Sequence, residues 1–186
     1  MVLKPEKVDK YYYLTYPKIA TVITSGTFEE PNAMAASWTT PVSFDPMLFV
    51  VAISPKRYSH GLIKKFMEFG VNILPYEKYD LCYKVGYYSG REFNKFEKFS
   101  LTKIKAKKIR PPLIGESISA FECKVVNIFS TGDHDLFVGK VVETWIDPEY
   151  VHKSGKIRLE KISPVFHVGG DEFSAINPEK IVRGVK

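Results

Sequence analysis

The 186-residue chain contains no glutamine and only two cysteines, Cys82 and Cys123. Two cysteines cannot build a disulfide framework or a four-cysteine metal site, and no C-x-x-C pair occurs. They read as reduced thiols of a cytoplasmic protein. No apolar run approaches the roughly 18 residues that a membrane helix requires, so no membrane partner is expected. The N-terminal stretch MVLKPEKVDKYYY lacks the apolar segment of a secretory signal. Gly/Ser linkers, internal repeats and low-complexity tracts are also missing, and the length suits one domain over residues 1–186.

Several chemical signatures are absent as well. G-x-x-x-x-G-K-[ST] and G-x-G-x-x-G do not occur, so neither a phosphate-binding loop nor a Rossmann dinucleotide site has support. The run Gly86-Tyr87-Tyr88-Ser89-Gly90 has the wrong spacing for a nucleophile elbow. H-E-x-x-H is missing, and the four histidines at 60, 134, 152 and 167 are scattered. Asp133, His134 and Asp135 are adjacent, but neighbours on a strand point to opposite faces, so no metal site is expected there.

What is present is a basic, apolar and aromatic chain. Lysine and arginine total 27 against 21 acidic residues, a net charge of +6, and 22 of the bases are lysine. Much of that charge is interleaved with acids, as in Glu92, Lys95, Glu97 and Lys98, and reads as a solvated face. The run Lys103, Lys105, Lys107, Lys108 and Arg110 alternates like an exposed strand whose lysines discourage edge pairing. No nucleic-acid partner is expected. Lysine-rich, glutamine-free composition matches selection at high growth temperature. With 45% hydrophobic and 14% aromatic residues the chain can bury a real core.

Strand-like runs rich in Val, Ile, Phe and Thr cover Ile19–Thr24, Met34–Thr40, Met47–Ile53, Val71–Leu74, Ile118–Phe129, Asp135–Ile146 and Val165–Val168. Leu62, Ile63, Phe66 and Phe69 recur at helical spacing over Tyr58–Phe69, with Ser59 as an N-cap and Gly70 as the stop. Glu77–Gly86 repeats the pattern, and Asn94–Phe99 suits a short third helix. Strands, then helices, then long strands predict a mainly β domain with peripheral helices, a barrel rather than a doubly wound sheet.

The informative block begins at Asn32 and runs to the V-N-I-L-P strand. Ala33, Ala35, Ala36 and Ser37 are small enough for something flat to approach the backbone. Ser54-Pro55-Lys56-Arg57-Tyr58-Ser59 gathers two cations and two serine hydroxyls where a helix begins. Helix N-termini present free N–H groups and partial positive charge, which suits a phosphate. Arg57 can add a forked, charge-assisted contact. A flat pocket joined to a phosphate cradle suits a mononucleotide-like ligand.

This block resembles the flavin reductase-like domain, the FMN-binding split β-barrel family, and within it the flavoredoxin branch. The matching pieces are N-x-M-x-x-S-W-x-T-P-V-S-x-D-P, [ST]-P-x-R-Y-[ST]-H, V-N-I-x-P, S-G-R-x-x-x-K-F and G-D-H-x-x-F-V-G, in that order. The resemblance covers a core of about 16–168. It implies that Asn32 and Trp38 lie beside the isoalloxazine, and that Ser37, Trp38, Thr39 and Thr40 meet its polar edge. It further implies that Ser54, Arg57 and Ser59 hold the phosphate, and that Lys95 supplies a cation. His134 would come close to the ring, and Phe166 would cover the site. Ala35 stands where relatives often carry a hydroxyl, and Ser59 where threonine is common. Taken singly, Trp38 and Phe166 read as core, Ser59 as a helix cap, and Lys95 and His134 as surface or satisfied polar residues.

The implied activity is that of an FMN-binding redox protein, passing electrons between a donor such as NAD(P)H, bound FMN and an acceptor. Two alternatives stand beside it. One is an NAD(P)H:flavin oxidoreductase that releases reduced flavin to a partner monooxygenase. The other is a non-catalytic FMN-binding module. The resemblance also implies a homodimer with a small-molecule or protein redox partner.

Overall fold

The computed structural model describes residues 4–182 and 184. Among them, the chain forms strands β1 (Lys18–Ile19), β2 (Thr21–Gly26), β3 (Pro31–Ala36), β4 (Thr39–Ser43), β5 (Leu48–Ile53) and β6 (Glu68–Ile73). Strands β7 (Lys103–Ile104), β8 (Leu113–Ile114), β9 (Ser119–Thr131), β10 (His134–Ile146), β11 (Phe166–Gly169) and β12 (Glu172–Ser174) follow. Helix α1 (Tyr58–Phe66) lies between β5 and β6, and α2 (Tyr79–Tyr87) and α3 (Lys95–Lys98) between β6 and β7.

Seven strands form one antiparallel sheet in the order β3-β2-β6-β9-β10-β5-β4. Strands β3 and β4 stand at its opposite ends, yet only Ser37 and Trp38 separate them in the chain. That link reaches at most about 11 Å, so the sheet must roll until its two ends face each other. The ends do not join in a ladder, so the barrel stays split along this seam. The Ala52 N–H donates to the Trp38 carbonyl at 2.9 Å, and the Thr21 and Thr39 hydroxyls meet across the gap at 3.5 Å. The β9–β10 ladder shifts register twice, with the extra residue in β9 (Val126) opposite Val138/Gly139 and in β10 (Val142) between Val141 and Glu143, and these bulges add the local bend that rolling needs.

Both faces are buried along β2 and along β6 from Phe69 to Ile73, whereas β9 emerges into solvent over its second half. Ile23, Val51, Ile53, Phe69, Val71 and Phe137 fill the barrel interior. Val22, Ala33, Cys82, Val85, Phe96 and Leu101 form a second core outside it, beneath α2 and α3. The mainly β, split-barrel expectation holds.

Three local expectations change. Helix α1 ends at Phe66, with Met67 in the left-handed region (φ 56°), because Glu68–Ile73 joins the sheet between β2 and β9. Phe69 keeps its burial, but in the barrel interior rather than on a helix face. Gly70 is a strand residue whose missing side chain makes room for the Thr24 hydroxyl. Arg57, not Ser59, occupies the N-cap, with no side-chain capping bond. The lysine-rich alternation is a strand only at Lys103–Ile104. Beyond it the Lys107 and Lys108 N–H groups donate to the buried Glu122 carboxylate at 2.8 and 2.6 Å instead of to a ladder.

Candidate functional site

Two adjoining hollows open beside the seam. The larger, about 410 Å³, is floored by Ala35, Ala36, Ser37 and Trp38 at the end of β3. The turn after β5 brings Ser54 and Arg57, α2 brings Cys82, Tyr83, Gly86 and Tyr87, and β10 brings His134. His167, Gly170 and Phe173 close it from the small sheet, and Tyr16 from the N-terminal side. The smaller hollow, about 140 Å³, holds Asn32, Lys56, Arg57, Ser59, Arg91 and Lys95. Met34, Ala35, Arg57, Gly86 and Tyr87 line both, so the two are continuous.

Backbone proximity explains the small residues. A Cβ on Gly86 would stand 3.0 Å from the Ala35 Cβ, so α2 rides directly on β3. That leaves a narrow slot between aromatic walls. Trp38 lies 4.9 Å from the His134 ring and 5.5 Å from Tyr12. Tyr83 and Tyr87 stack at 5.6 Å. Burial raises the Tyr16 phenol above its ordinary value, while the Trp38 side chain pulls it the other way. Burial pushes the Cys82 thiol up to about 12, so it is an apolar filler and not a nucleophile.

The smaller hollow has the opposite character. The Asn32 amide donates to the Ser59 hydroxyl at 2.7 Å, inside α1's first turn. The Asn32 Oδ1 is buried and has no partner, an unmet acceptor that points to a hydrogen-bonding ligand or its water. Lys95 is 3% exposed, and its ammonium donates to the Ala33 and Val85 carbonyls at 2.8 and 2.6 Å. Burial, then the Arg57 guanidinium, depresses it to about 8, with Glu92 opposing. Arg91 is held over the Tyr58 ring and donates to the Lys56 carbonyl at 3.1 Å.

Of the residues singled out from the sequence, Asn32, Arg57, Ser59 and Lys95 meet in the smaller hollow. Ser37, Trp38, Ser54, Arg57 and His134 meet in the larger. Three lie elsewhere. Thr39 faces Thr21, and Thr40 is exposed, with its hydroxyl on the Pro41 carbonyl. Phe166 lines a separate groove with Ile19 and Ile176, because the alternation of β11 turns its neighbour His167 to the site instead. His134 Nδ1 lies 2.8 Å from Asp133, and Asp135 turns away to His60 at 2.7 Å, so the three do not converge. Hydrogen bonding by His134 holds the Asp133 carboxyl below its usual range, and His60 does the same for Asp135. Among the described residues no group of three or more His, Cys, Asp or Glu side chains could hold a metal. Sequence reasoning missed His167, Tyr16, Tyr83 and Arg91. Only Arg91 carried a signal, inside the S-G-R piece.

The family model of the flavin reductase like domain matches residues 13–159. The chain belongs to this family. An uncharacterized protein of Archaeoglobus fulgidus is 44% identical over 140 residues, 75% of this chain and 78% of that one. One of Pyrococcus abyssi is 37% identical over 172 residues, 92% of this chain and 97% of the other. A ferric-chelate reductase (NAD(P)H) of A. fulgidus is 26% identical over 73% of this chain and 79% of its own. Among solved structures, the FMN-binding protein of Thermus thermophilus shares 28% identity at a TM-score of 0.86, covering 98% of this chain and 99% of that one. The flavoredoxin of Methanosarcina acetivorans, at 20% identity, has the same fold with a TM-score of 0.86 and coverage of 99% and 95%. The split-barrel fold is thus shared with these proteins. No described helix is long and apolar enough to cross a membrane.

Proposed function

We propose that the protein binds FMN in the joined hollows and works as a flavin redox protein of the flavoredoxin and flavin reductase type. One observation carries this reading: a hollow of about 410 Å³ lined by Tyr16, Trp38, Tyr83, Tyr87 and Phe173 runs directly into a smaller one carrying Lys56, Arg57, Arg91 and Lys95. The isoalloxazine needs the first and the phosphate the second. The fit is supported by the orphaned Asn32 Oδ1 and by the close contact of Gly90 with the same amide, which marks a tightly shaped cradle. Arg57 and Ser59 would hold the phosphate, Ser37 and Trp38 would border the ring, and His134 would stand at its open side. When bound, the flavin supplies the electron or hydride chemistry, and the protein supplies orientation and electrostatics.

A nicotinamide donor is supported by the name of the ferric-chelate relative. A homodimer is supported by Val42, Phe44 and Met47, apolar and exposed on the outer hairpin. Adding FMN should perturb its absorbance band near about 450 nm, and anaerobic NADH or NADPH should then bleach it. An unperturbed FMN spectrum would sink the proposal. Binding without bleaching would leave a carrier fed by another donor. Reduced flavin that leaves the protein on gel filtration would favour the releasing oxidoreductase.

A further inference from the structure

One polar chain in the wall of the larger hollow ties three segments together. Ser37 Oγ lies 2.9 Å from His167 Nδ1, and His167 Nε2 lies 3.0 Å from the Gly170 carbonyl oxygen. A carbonyl oxygen only accepts, so Nε2 must carry a hydrogen. In the neutral imidazole Nδ1 is then bare, and a bare ring nitrogen only accepts. The Ser37 hydroxyl is therefore the donor in its bond to His167. Its one hydrogen is committed, so toward the Tyr16 phenol beside it and toward the hollow it offers only its two lone pairs.

A freely rotating serine would offer a ligand either polarity. This one is held. The imidazole plane is wedged between Tyr16 at 5.2 Å and Phe173 at 5.6 Å. Gly170, the anchor, has φ +59°, and its own N–H donates to the Tyr13 hydroxyl at 3.3 Å. Ser37 itself sits in the two-residue seam, whose backbone is fixed by the rolled sheet.

We propose that His167 is a positioning residue that fixes Ser37 as a one-way hydrogen-bond acceptor for the ring N–H of the bound flavin. This rests on the FMN reading above. An oxidised isoalloxazine has a single ring N–H, set between two carbonyls. A free serine could meet a carbonyl or the N–H. A serine committed to His167 repels the carbonyls and takes the N–H, which selects one placement of the ring in the slot. Neither Ser37 nor His167 need touch the reacting atoms for this.

The test uses FMN isotopically labelled at its ring nitrogens, bound to the full chain at about pH 8, above the range where imidazoles ordinarily titrate. In the wild type the ring N–H proton should resonate downfield and exchange slowly with water. Ser37→Ala and His167→Phe should each move it upfield and speed its exchange. His167→Asn should restore much of the wild-type signal, because its amide oxygen reaches the place of Nδ1. Affinity for FMN should fall roughly fivefold to tenfold in Ser37→Ala and His167→Phe, the net worth of about one hydrogen bond. Riboflavin should lose as much, since the phosphate is not involved. An N–H resonance identical in wild type and Ser37→Ala overturns the proposal. A change in Ser37→Ala with none in His167→Phe overturns the positioning role. Absence of FMN binding to the wild type overturns this reading together with the one it rests on, whereas an unchanged N–H in a flavin that binds overturns this one alone.

Discussion

Arg57 stands where the two hollows meet, and its role is separable from that of its neighbours. Its guanidinium can make a charge-assisted contact to phosphate that riboflavin lacks. Arg57→Ala should therefore weaken FMN by about 1.5–3 kcal/mol and leave riboflavin nearly unchanged. Parallel titrations by flavin fluorescence would show it, and equal losses would remove the role. Lys95 makes a prediction about pH. Its ammonium is depressed to about 8 by burial and by Arg57. A phosphate dianion beside it would favour the charged form and raise that value. FMN binding near pH 8 should therefore take up protons, and affinity should fall as pH rises above about 8. Calorimetry in buffers of different ionisation enthalpy measures the uptake, which Lys95→Met should abolish. Without ligand the sign for stability runs the other way. The unfolded chain holds the Lys95 proton up to its ordinary 10.5, so the burial penalty is full below about 8 and disappears as pH rises through that window. Deprotonated Lys95 still has two N–H donors for the Ala33 and Val85 carbonyls.

Between elements, close approach decides more than propensity. Gly90, in the loop after α2, packs against the Asn32 amide and stands where a Cβ would be 2.9 Å from the Tyr58 ring. Gly90→Ala should push the amide out of the smaller hollow. FMN affinity should drop several-fold while the thermal midpoint barely moves, since the rim and not the core is disturbed. Gly139 is the contrasting case. A Cβ there would stand 2.6 Å from Phe69 Cζ and 2.8 Å from the Cys123 Cβ, both inside the barrel. Gly139→Ala should cost about 1–3 kcal/mol of stability by overpacking, read from the denaturant midpoint. A shift toward higher denaturant would show that β10 yields there. The fate of Phe69 belongs to this scale too. Its helical spacing from Phe66 was legible, but the ladder between β2 and β9 claimed it, because six sheet residues bury more than one further helical turn.

At the scale of the molecule, the two buried cysteines lie in different cores, Cys82 between α2 and β3 and Cys123 in the barrel. Burial pushes both thiols up to about 12. A thiol reagent at neutral pH should label neither in the folded protein and both once the chain unfolds. Rapid labelling of Cys82 alone would mean that the slot between α2 and β3 opens on its own. The rolled sheet explains why one seam gathers so much: a chain that steps from the first edge strand to the last in two residues brings both edges, and everything beside them, to one place.

Composition and local pattern determined the β-rich fold class, the existence of the helices, the small-residue strand, and the meeting of Arg57 and Ser59 where α1 begins, because each rests on neighbours in sequence. The spacing of strands could not say which residue of Phe166 and His167 faced the slot. A two-residue period has a phase, and register with β1 and β12 sets it. Nor could it show that Thr39 and Thr40 leave the site, since the turn of the seam directs them away. The aromatic walls came from Tyr16, Tyr83 and Phe173, which lie far apart in the chain and carry no motif. Only the rolling of the sheet, and the packing of α2 on β3, brought them together.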